Sequence, residues 1–231
     1  MLKIHRYLVA GRYAWDRAAY KKICKLSGQW HYTQYPFMMT RENLAKINPK
    51  YIFLLHWSKI IPNEVFNKYI CVGFHMTDLP YGRGGTPLQN LILRGYTATK
   101  LTAFRITSKL DAGPIYLKEN LSLRGTAHQI YARASLLAVT MIKQMIANKV
   151  SPRAQDGPVV HFNRRKVLDS RIGYQPSLRR LYDFIRMLDA PGYPNAYLLN
   201  HEYQPVYRFE FTGAKLKRAS VEAKVKITCE S

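Results

Sequence analysis

The sequence predicts an α/β fold of the Rossmann-like kind: a mostly parallel sheet with helices on both faces, followed by a small C-terminal helix and β-hairpin subdomain. Three observations carry this. The runs Tyr51 to Leu55 (YIFLL) and Ile70 to Phe74 (ICVGF) are apolar without alternation, as expected of parallel strands covered on both faces. Helical patterns separate the strand-like runs, giving β-α-β alternation. A chain of 231 residues, 47% hydrophobic and 22% charged, suits one domain with a sizeable core plus an appendage. The loop-like Ser151 to Gly157 (SPRAQDG) divides residues 1–150 from residues 151–231.

The elements follow in order. Lys3 to Ala10 reads as a first strand ended by Gly11, and Ala14 to Leu26 as a helix with Ala18, Ala19, Ile23 and Leu26 on its apolar face. This is not a dinucleotide fingerprint, because GxGxxG is absent. Gly11, Arg12, Tyr13 and Trp15 either contact a phosphate and a ring or form a tight turn with a packed tryptophan. Trp30 to Tyr35 reads as a second strand, Thr40 caps a short helix through Ile47, and Pro62 opens a helix after the third strand. Past Phe74 a loop holds Asp78, Pro80, Gly82, Gly84, Gly85 and Pro87, too many breakers for a helix. Strands are expected over Lys100 to Thr107 and Pro114 to Leu121. Thr126 and Gln129 form a capping box for a helix to about Asn148, with Ile130, Ala134, Leu137 and Met141 at helical spacing. Ser177 caps the helix LRRLYDFIRML, stopped by Ala190 to Pro194, and short strands are expected at Ala196–Leu199, Val206–Phe211 and Ser220–Ile227.

The net charge of +22 admits three readings: a nucleic-acid surface, a site for a small anionic ligand, or a solvated lysine-rich face. The basic residues are spread along the chain rather than blocked, which argues against nucleic acid as the partner. The scattered Cys24, Cys71 and Cys229 form no CxxC pair, so the expectation is a reduced cytoplasmic protein with no disulfide framework and no metal site. No apolar run approaches the ~20 residues of a membrane span, and no membrane partner is expected.

The candidate chemistry lies between Ile70 and Leu117. His75 stands where one strand-like run stops, and Asp111 follows the next in the loop Ser108 to Gly113. The expectation is one imidazole and one carboxylate just past the ends of two neighbouring strands, at the edge where α/β sheets build sites. An imidazole tuned by a carboxylate does general acid–base work, although a solvated histidine and a turn aspartate also fit these two residues alone. Arg83-Gly84-Gly85 is a tight basic turn able to present backbone N–H groups to an anion, and Asp78 braces its own loop.

The series Phe74-His75, Leu79-Pro80, Arg83-Gly84-Gly85 and Pro87, followed by Leu110-Asp111-Ala112-Gly113-Pro114-Ile115, resembles the folate-dependent formyltransferases in order, spacing and strand-end placement. The resemblance covers roughly residues 50 to 150 well. Ile185-Arg186, Tyr193-Pro194 and Ala196 further resemble the C-terminal part of sugar N-formyltransferases. The resemblance implies a formyltransferase catalytic domain over residues 1–150 and a donor, 10-formyltetrahydrofolate, held by Trp57, Ser58, Lys59 and Ile60 and by Ser108, Lys109 and Leu110. It implies His75 and Asp111 as the catalytic pair: His75 stabilising the oxyanion of acyl transfer or relaying a proton, Asp111 setting its orientation. Arg12, Trp15, Thr77, Arg83, Gly84 and Gly85 are assigned to the acceptor. The family's Asn two residues before the His is Gly73 here, so either Asp78, Gln89, Asn90 or a backbone N–H substitutes for its carboxamide, or activity is low.

The tRNA-formylating members carry a larger C-terminal barrel than the residues after 150 provide. The expected acceptor is therefore a nucleotide-linked amino sugar, as in polysaccharide biosynthesis. A methionyl-tRNA formyltransferase-like enzyme and a non-catalytic basic nucleic-acid-binding protein on the same scaffold are the alternatives. Leu181, Phe184, Phe209 and Phe211 either support a homodimer or pack on the core.

Overall fold

The computed structural model describes residues 4–200 and 205–230. In chain order the elements are β1 (Arg6–Gly11), α1 (Ala14–Ile23), β2 (Gln29–Thr33), α2 (Arg41–Ile47), β3 (Tyr51–Leu55), α3 (Asn63–Lys68), β4 (Ile70–His75), β5 (Tyr81–Gly84), α4 (Pro87–Leu93), β6 (Ala98–Arg105), β7 (Ile115–Ser122), α5 (Ala127–Ala147), β8 (Val160–Phe162), α6 (Leu178–Arg186), β9 (Ala196–Asn200), β10 (Val206–Leu216) and β11 (Val221–Glu230). The chain forms two compact units that interleave in sequence. One comprises Met1–Gly84, Thr99–Leu121 and Tyr131–His161, the other Gly85–Ala98, Ser122–Ile130 and Phe162–Ser231.

The first unit is built on the sheet β2-β1-β3-β4-β6-β7. The pairs β1–β2, β1–β3 and β3–β4 are parallel, the α/β arrangement expected. Alternation puts Leu8, Ala10, Ile52, Leu54 and Cys71 on one face, where they form a core with Leu44 of α2 and Val65 of α3. Stacked rings mark the other face: Trp30 on Tyr7 with centroids 4.5 Å apart, and Tyr51 on Phe53 at 5.5 Å. Thr40 caps α2, its Oγ1 accepting from Asn43 N at 3.3 Å.

Two expectations need correcting. The loop after His75 contains β5 and α4, which its prolines and glycines had masked. Pro87 sits in the first turn of α4, where its missing N–H leaves no helical bond unmade. Moreover, β6 runs antiparallel to β4, pairing Val72 with Arg105 and His75 with Thr102. The end of β6 therefore lies beside the start of β4, and the loop that follows must turn back to reach His75.

α5 is long and apolar enough, by length and composition, to cross a membrane, although Arg133 and Lys143 break it into shorter apolar runs. Its buried residues Ala127, Ile130, Tyr131, Ala134, Ala138, Met141, Ile142 and Met145 recur at three- and four-residue spacing, the stripe of a helix packed on one side. The Thr126–Gln129 capping box forms reciprocally, Thr126 N to Gln129 Oε1 at 3.0 Å and Gln129 N to Thr126 Oγ1 at 3.4 Å.

The second unit centres on the antiparallel sheet β11-β10-β9 with α6, capped by Ser177 as expected. Arg186 is buried, paired with Asp183 at 2.6 Å, and donates to the Leu123 and Gly125 carbonyls at 2.7 and 2.8 Å. A buried guanidinium so fully bonded is an anchor of the fold. Phe184 is buried here, and Leu181, Phe209 and Phe211 are half-buried, so these four make no exposed patch.

Candidate active site

His75 closes β4 and is buried. Its Nε2–H donates to the Gly82 carbonyl at 2.8 Å, which fixes the tautomer and the ring plane. The second nitrogen, Nδ1, faces Asp111 Oδ2 at 3.8 Å, too long for a hydrogen bond. It is the ring nitrogen with no hydrogen bond among the described residues. Asp111 has a left-handed backbone, φ 49°, which aspartate tolerates better than most residues. Its Oδ2 accepts the Gly84 N–H at 2.9 Å.

The loop bearing Asp111 is pinned from below. Gln155 Nε2 donates to the carbonyls of Asp111 and Gly113, both at 2.8 Å, and Gln155 Oε1 accepts from Arg83 Nε and Nη2 at 3.1 and 2.6 Å. Gly113 meets a close backbone approach: a Cβ there would stand 1.7 Å from the Arg105 carbonyl oxygen. Arg83 thus acts first on Gln155, tying the Arg-Gly turn to the Asp111 loop. Gln155 was not read as functional, because it lies in a segment whose composition signals only a loop.

At Gly73, where the family has Asn, a Cβ would come within 2.8 Å of the Phe104 ring and 3.0 Å of Ile106 Cδ1. The space for a carboxamide is filled from β6. None of the side chains proposed as substitutes is available. Asp78 pairs with Lys118 at 2.5 Å; Gln89 is buried and gives its amide to the Met187 carbonyl; Asn90 gives its amide to Gly85, Thr86 and Asn163. A backbone N–H remains the candidate.

The donor-loop residues divide by exposure. Trp57 packs against the core, and its indole N–H is buried without a partner among the described residues. Ser58 and Lys59 are exposed, and Ile60 is 94% exposed. Ser108 and Lys109 are exposed, with Leu110 at 71%. Of the acceptor residues, Arg12 is exposed and Arg83, Gly84 and Gly85 are half-buried. Trp15 and Thr77 are corrected: Trp15 is buried, stacked on Tyr13 and Tyr131, while Thr77 is fully buried with its hydroxyl on the Gly82 carbonyl.

A second histidine–carboxylate pair went unread. Asp16, fully buried in the first turn of α1, accepts from the backbone N–H of Arg12 and Tyr13 through Oδ2, both at 3.1 Å. Its Oδ1 takes His56 Nδ1 at 2.8 Å and Ser135 Oγ at 2.9 Å. The signals were a carboxylate three residues into a helix, a histidine ending an apolar strand, and a serine on the apolar stripe of α5. Cys71, by contrast, is a core sulfur: burial pushes its thiol up to about 12, which rules out a thiolate nucleophile near neutral pH. A groove of ≈ 640 Å³ runs along Ile115–Lys118 and Val150–Asp156, lined by neither His75 nor Asp111.

Residues 29–146 match the family model described as formyl transferase, and residues 167–228 match that of the methionyl-tRNA formyltransferase C-terminal domain. The chain belongs to the formyl transferase family. A solved structure described as methionyl-tRNA formyltransferase from Clostridium thermocellum is 38% identical, with a TM-score of 0.93 over 98% of this chain and 100% of that one. A methionyl-tRNA formyltransferase from Thermodesulfovibrio yellowstonii is 27% identical over 153 residues, 63% of this chain and 50% of that protein. The matched stretch spans between about a quarter and two thirds of the length of such curated relatives, 50% of this one and 65% of a methionyl-tRNA formyltransferase from Rickettsia massiliae. A sugar N-formyltransferase from a Shewanella species shares the fold at 16% identity, TM-score 0.67, over 93% of this chain and 99% of that one. The expected sugar acceptor is overturned by these findings, and so is the argument against a nucleic-acid partner. The C-terminal segment that resembled sugar enzymes matches the tRNA-enzyme domain instead, and the amount of chain after residue 150 was no guide.

Proposed function

We propose that this chain transfers a formyl group from 10-formyltetrahydrofolate to the α-amine of an aminoacyl-tRNA, with methionyl-tRNA as the acceptor. The observation that carries the reading is His75 facing Asp111 at 3.8 Å with Nδ1 still open. The donor, when bound, supplies an activated formyl carbonyl. The residues present fit it: the buried indole N–H of Trp57, without a partner among the described residues, asks for a hydrogen-bond acceptor. Ile60 and Leu110 offer apolar contact to a ring, and exposed Lys59 and Lys109 suit an anionic glutamyl tail.

In this reading His75, its ring fixed by the Nε2–H bond to Gly82, takes up a proton at the open Nδ1 and relays it to the departing folate nitrogen. Asp111, steadied by the Gly84 N–H, keeps Oδ1 free to take a proton from the attacking amine, directly or through water. Arg12, Arg83 and the Gly84-Gly85 backbone face the acceptor. Residues 1–150 carry the chemistry and residues 151–231 engage the tRNA. Exposed Arg180, Lys215, Lys217, Arg218 and Lys224 of that segment contribute to a net charge of +22, which suits phosphate contact. Such an acceptor places the reaction in the cytoplasm.

The test is direct. Purified chain with 10-formyltetrahydrofolate should add formyl to methionyl-tRNA and not to free methionine, with binding that weakens steeply as salt rises. Formylation of small amines with methionyl-tRNA untouched would overturn the tRNA assignment. No formyl transfer to any amine would overturn the reaction.

A further inference from the structure

The Asp16–His56–Ser135 cluster lies outside the proposed chemistry, yet it sits between the turns that follow β1 and β3. In the sheet order β2-β1-β3-β4 these strands flank the place where the winding of the chain reverses, the crevice in which doubly wound folds bind ligands. Its geometry is not that of a nucleophilic triad. All three groups meet at one ring nitrogen: His56 Nδ1 touches Asp16 Oδ1 at 2.8 Å and Ser135 Oγ at 3.2 Å, while Ser135 donates to Asp16. A serine activated by histidine needs the opposite nitrogen. The cluster instead resembles a hinge pin. Asp16 binds the β1–α1 turn through two backbone N–H groups and the β3 turn through His56. Gly11 permits this, since a Cβ there would stand 2.5 Å from Asp16 Cβ.

His56 also carries a left-handed backbone, φ 45°, uncommon for a residue with a Cβ though histidine enters it more often than most, and one that persists where the surroundings hold it. Here they do. Asp16 and Ser135 fix Nδ1, and Trp15 and Tyr131 meet the ring edge-on at 6.0 and 5.1 Å. The residues immediately after are Trp57, Ser58, Lys59 and Ile60, the proposed donor loop. The direction in which that loop leaves β3 is therefore set by a side chain anchored to α1 and α5.

We propose that His56 is a positioning residue for the folate donor: clamped by Asp16 and Ser135, its imidazole holds the strained turn that aims Trp57 and Ile60 at the pteridine ring. The proposal rests on the formyl-transfer reading and names a part of that site which no motif marks.

Tetrahydrofolate is the probe, and donor kinetics supply the second readout. His56→Gly removes the anchor while tolerating the backbone angle, and His56→Asn restores a donor to Asp16 in a residue that also accepts left-handed geometry. His56→Gly should weaken tetrahydrofolate binding and raise the donor KM at least tenfold, leaving kcat at saturating donor within about threefold. His56→Asn should recover most of the loss, and Ser135→Ala should fall between. Unchanged binding in His56→Gly while the wild-type chain binds would overturn this inference alone. A fall in kcat with KM unchanged, or no rescue by Asn in a protein that melts like the wild type, would also overturn it. If the wild-type chain binds no tetrahydrofolate, the formyl-transfer reading falls and takes this one with it. Should His56→Gly fail to fold, the same split read from Ser135→Ala and Asp16→Asn decides the matter.

Discussion

Two histidines end two neighbouring parallel strands in equivalent positions. Leu54 of β3 pairs with Gly73 of β4, and His56 and His75 each come two residues later. Each meets an aspartate from elsewhere in the chain. At His56 the carboxylate is fully buried, touches the imidazole at 2.8 Å and has both oxygens occupied by four donors. At His75 the carboxylate is partly exposed, stands 3.8 Å away and keeps one oxygen without a hydrogen bond among the described residues. The same two side chains thus do different work. A satisfied pair holds backbone in place; a pair with spare valence can hold or move a proton. The type of residue does not separate the cases, whereas the count of remaining lone pairs and protons does.

The largest expected effect comes from breaking the open pair. His75→Ala should lower kcat by about 10²- to 10⁴-fold, the range of a general acid–base group, and Asp111→Asn should act in the same direction. Both should leave the melting midpoint close to wild type, read by calorimetry alongside initial rates. A fall in stability matching the fall in rate would mean that the open pair is also structural.

Breaking the closed pair should invert the pattern. Asp16→Ala strands two backbone N–H groups at the start of α1 and unpairs His56 and Ser135. The expected loss is about 2–5 kcal/mol, the scale for buried donors left unsatisfied, measured by urea denaturation. Asp16→Asn should cost less, because its amide oxygen can still accept.

Gln155 sharpens the contrast by loosening the open pair without touching it. Gln155→Leu removes the bridge between Arg83 and the Asp111 loop. About a tenfold fall in kcat is expected, the scale at which misplaced catalytic groups lose rate, with the donor KM little changed.

The smallest effect belongs to Cys71, near the start of β4. Burial raises its thiol to about 12, above the ~8.5 of an unfolded cysteine. The folded state therefore keeps a proton that the unfolded state gives up. Its contribution to stability is full below about pH 8.5 and is lost as pH rises toward 12. Cys71→Ala should flatten the alkaline limb of the stability curve, at the cost of a small cavity. At pH 8 a thiol reagent should label exposed Cys24 and Cys229 well before Cys71.

Much of this was legible in the chain before any coordinates. Apolar runs without alternation marked β3 and β4 as inner parallel strands, and the Thr126–Gln129 box marked the start of α5, because these signals are local. The His75 and Asp111 loops were found through a motif order that survives in sequence. What stayed hidden depends on distant partners. The antiparallel sense of β6 leaves no trace in its composition. β5 and α4 were lost because Gly82, Gly84 and Pro87 mean something different at an edge ribbon or a first helical turn than inside an element. Asp16, His56, Ser135 and Gln155 come from four separate stretches, each unremarkable by itself. The acceptor was misjudged for another reason. Dispersed basic residues look unpatterned along the chain, yet a surface for a polyanion needs no contiguity in sequence.

The filled space at Gly73 has a bearing on how this chain can change. Phe104 sits where the first atom of any side chain would go, so installing asparagine at 73 alone should jam the strands instead of reviving a carboxamide. Only paired replacement, with a smaller residue at 104, opens that path, and each single step is disfavoured before the second arrives. With Phe104 in place, any donor to a developing oxyanion here has to come from a group other than a side chain at 73.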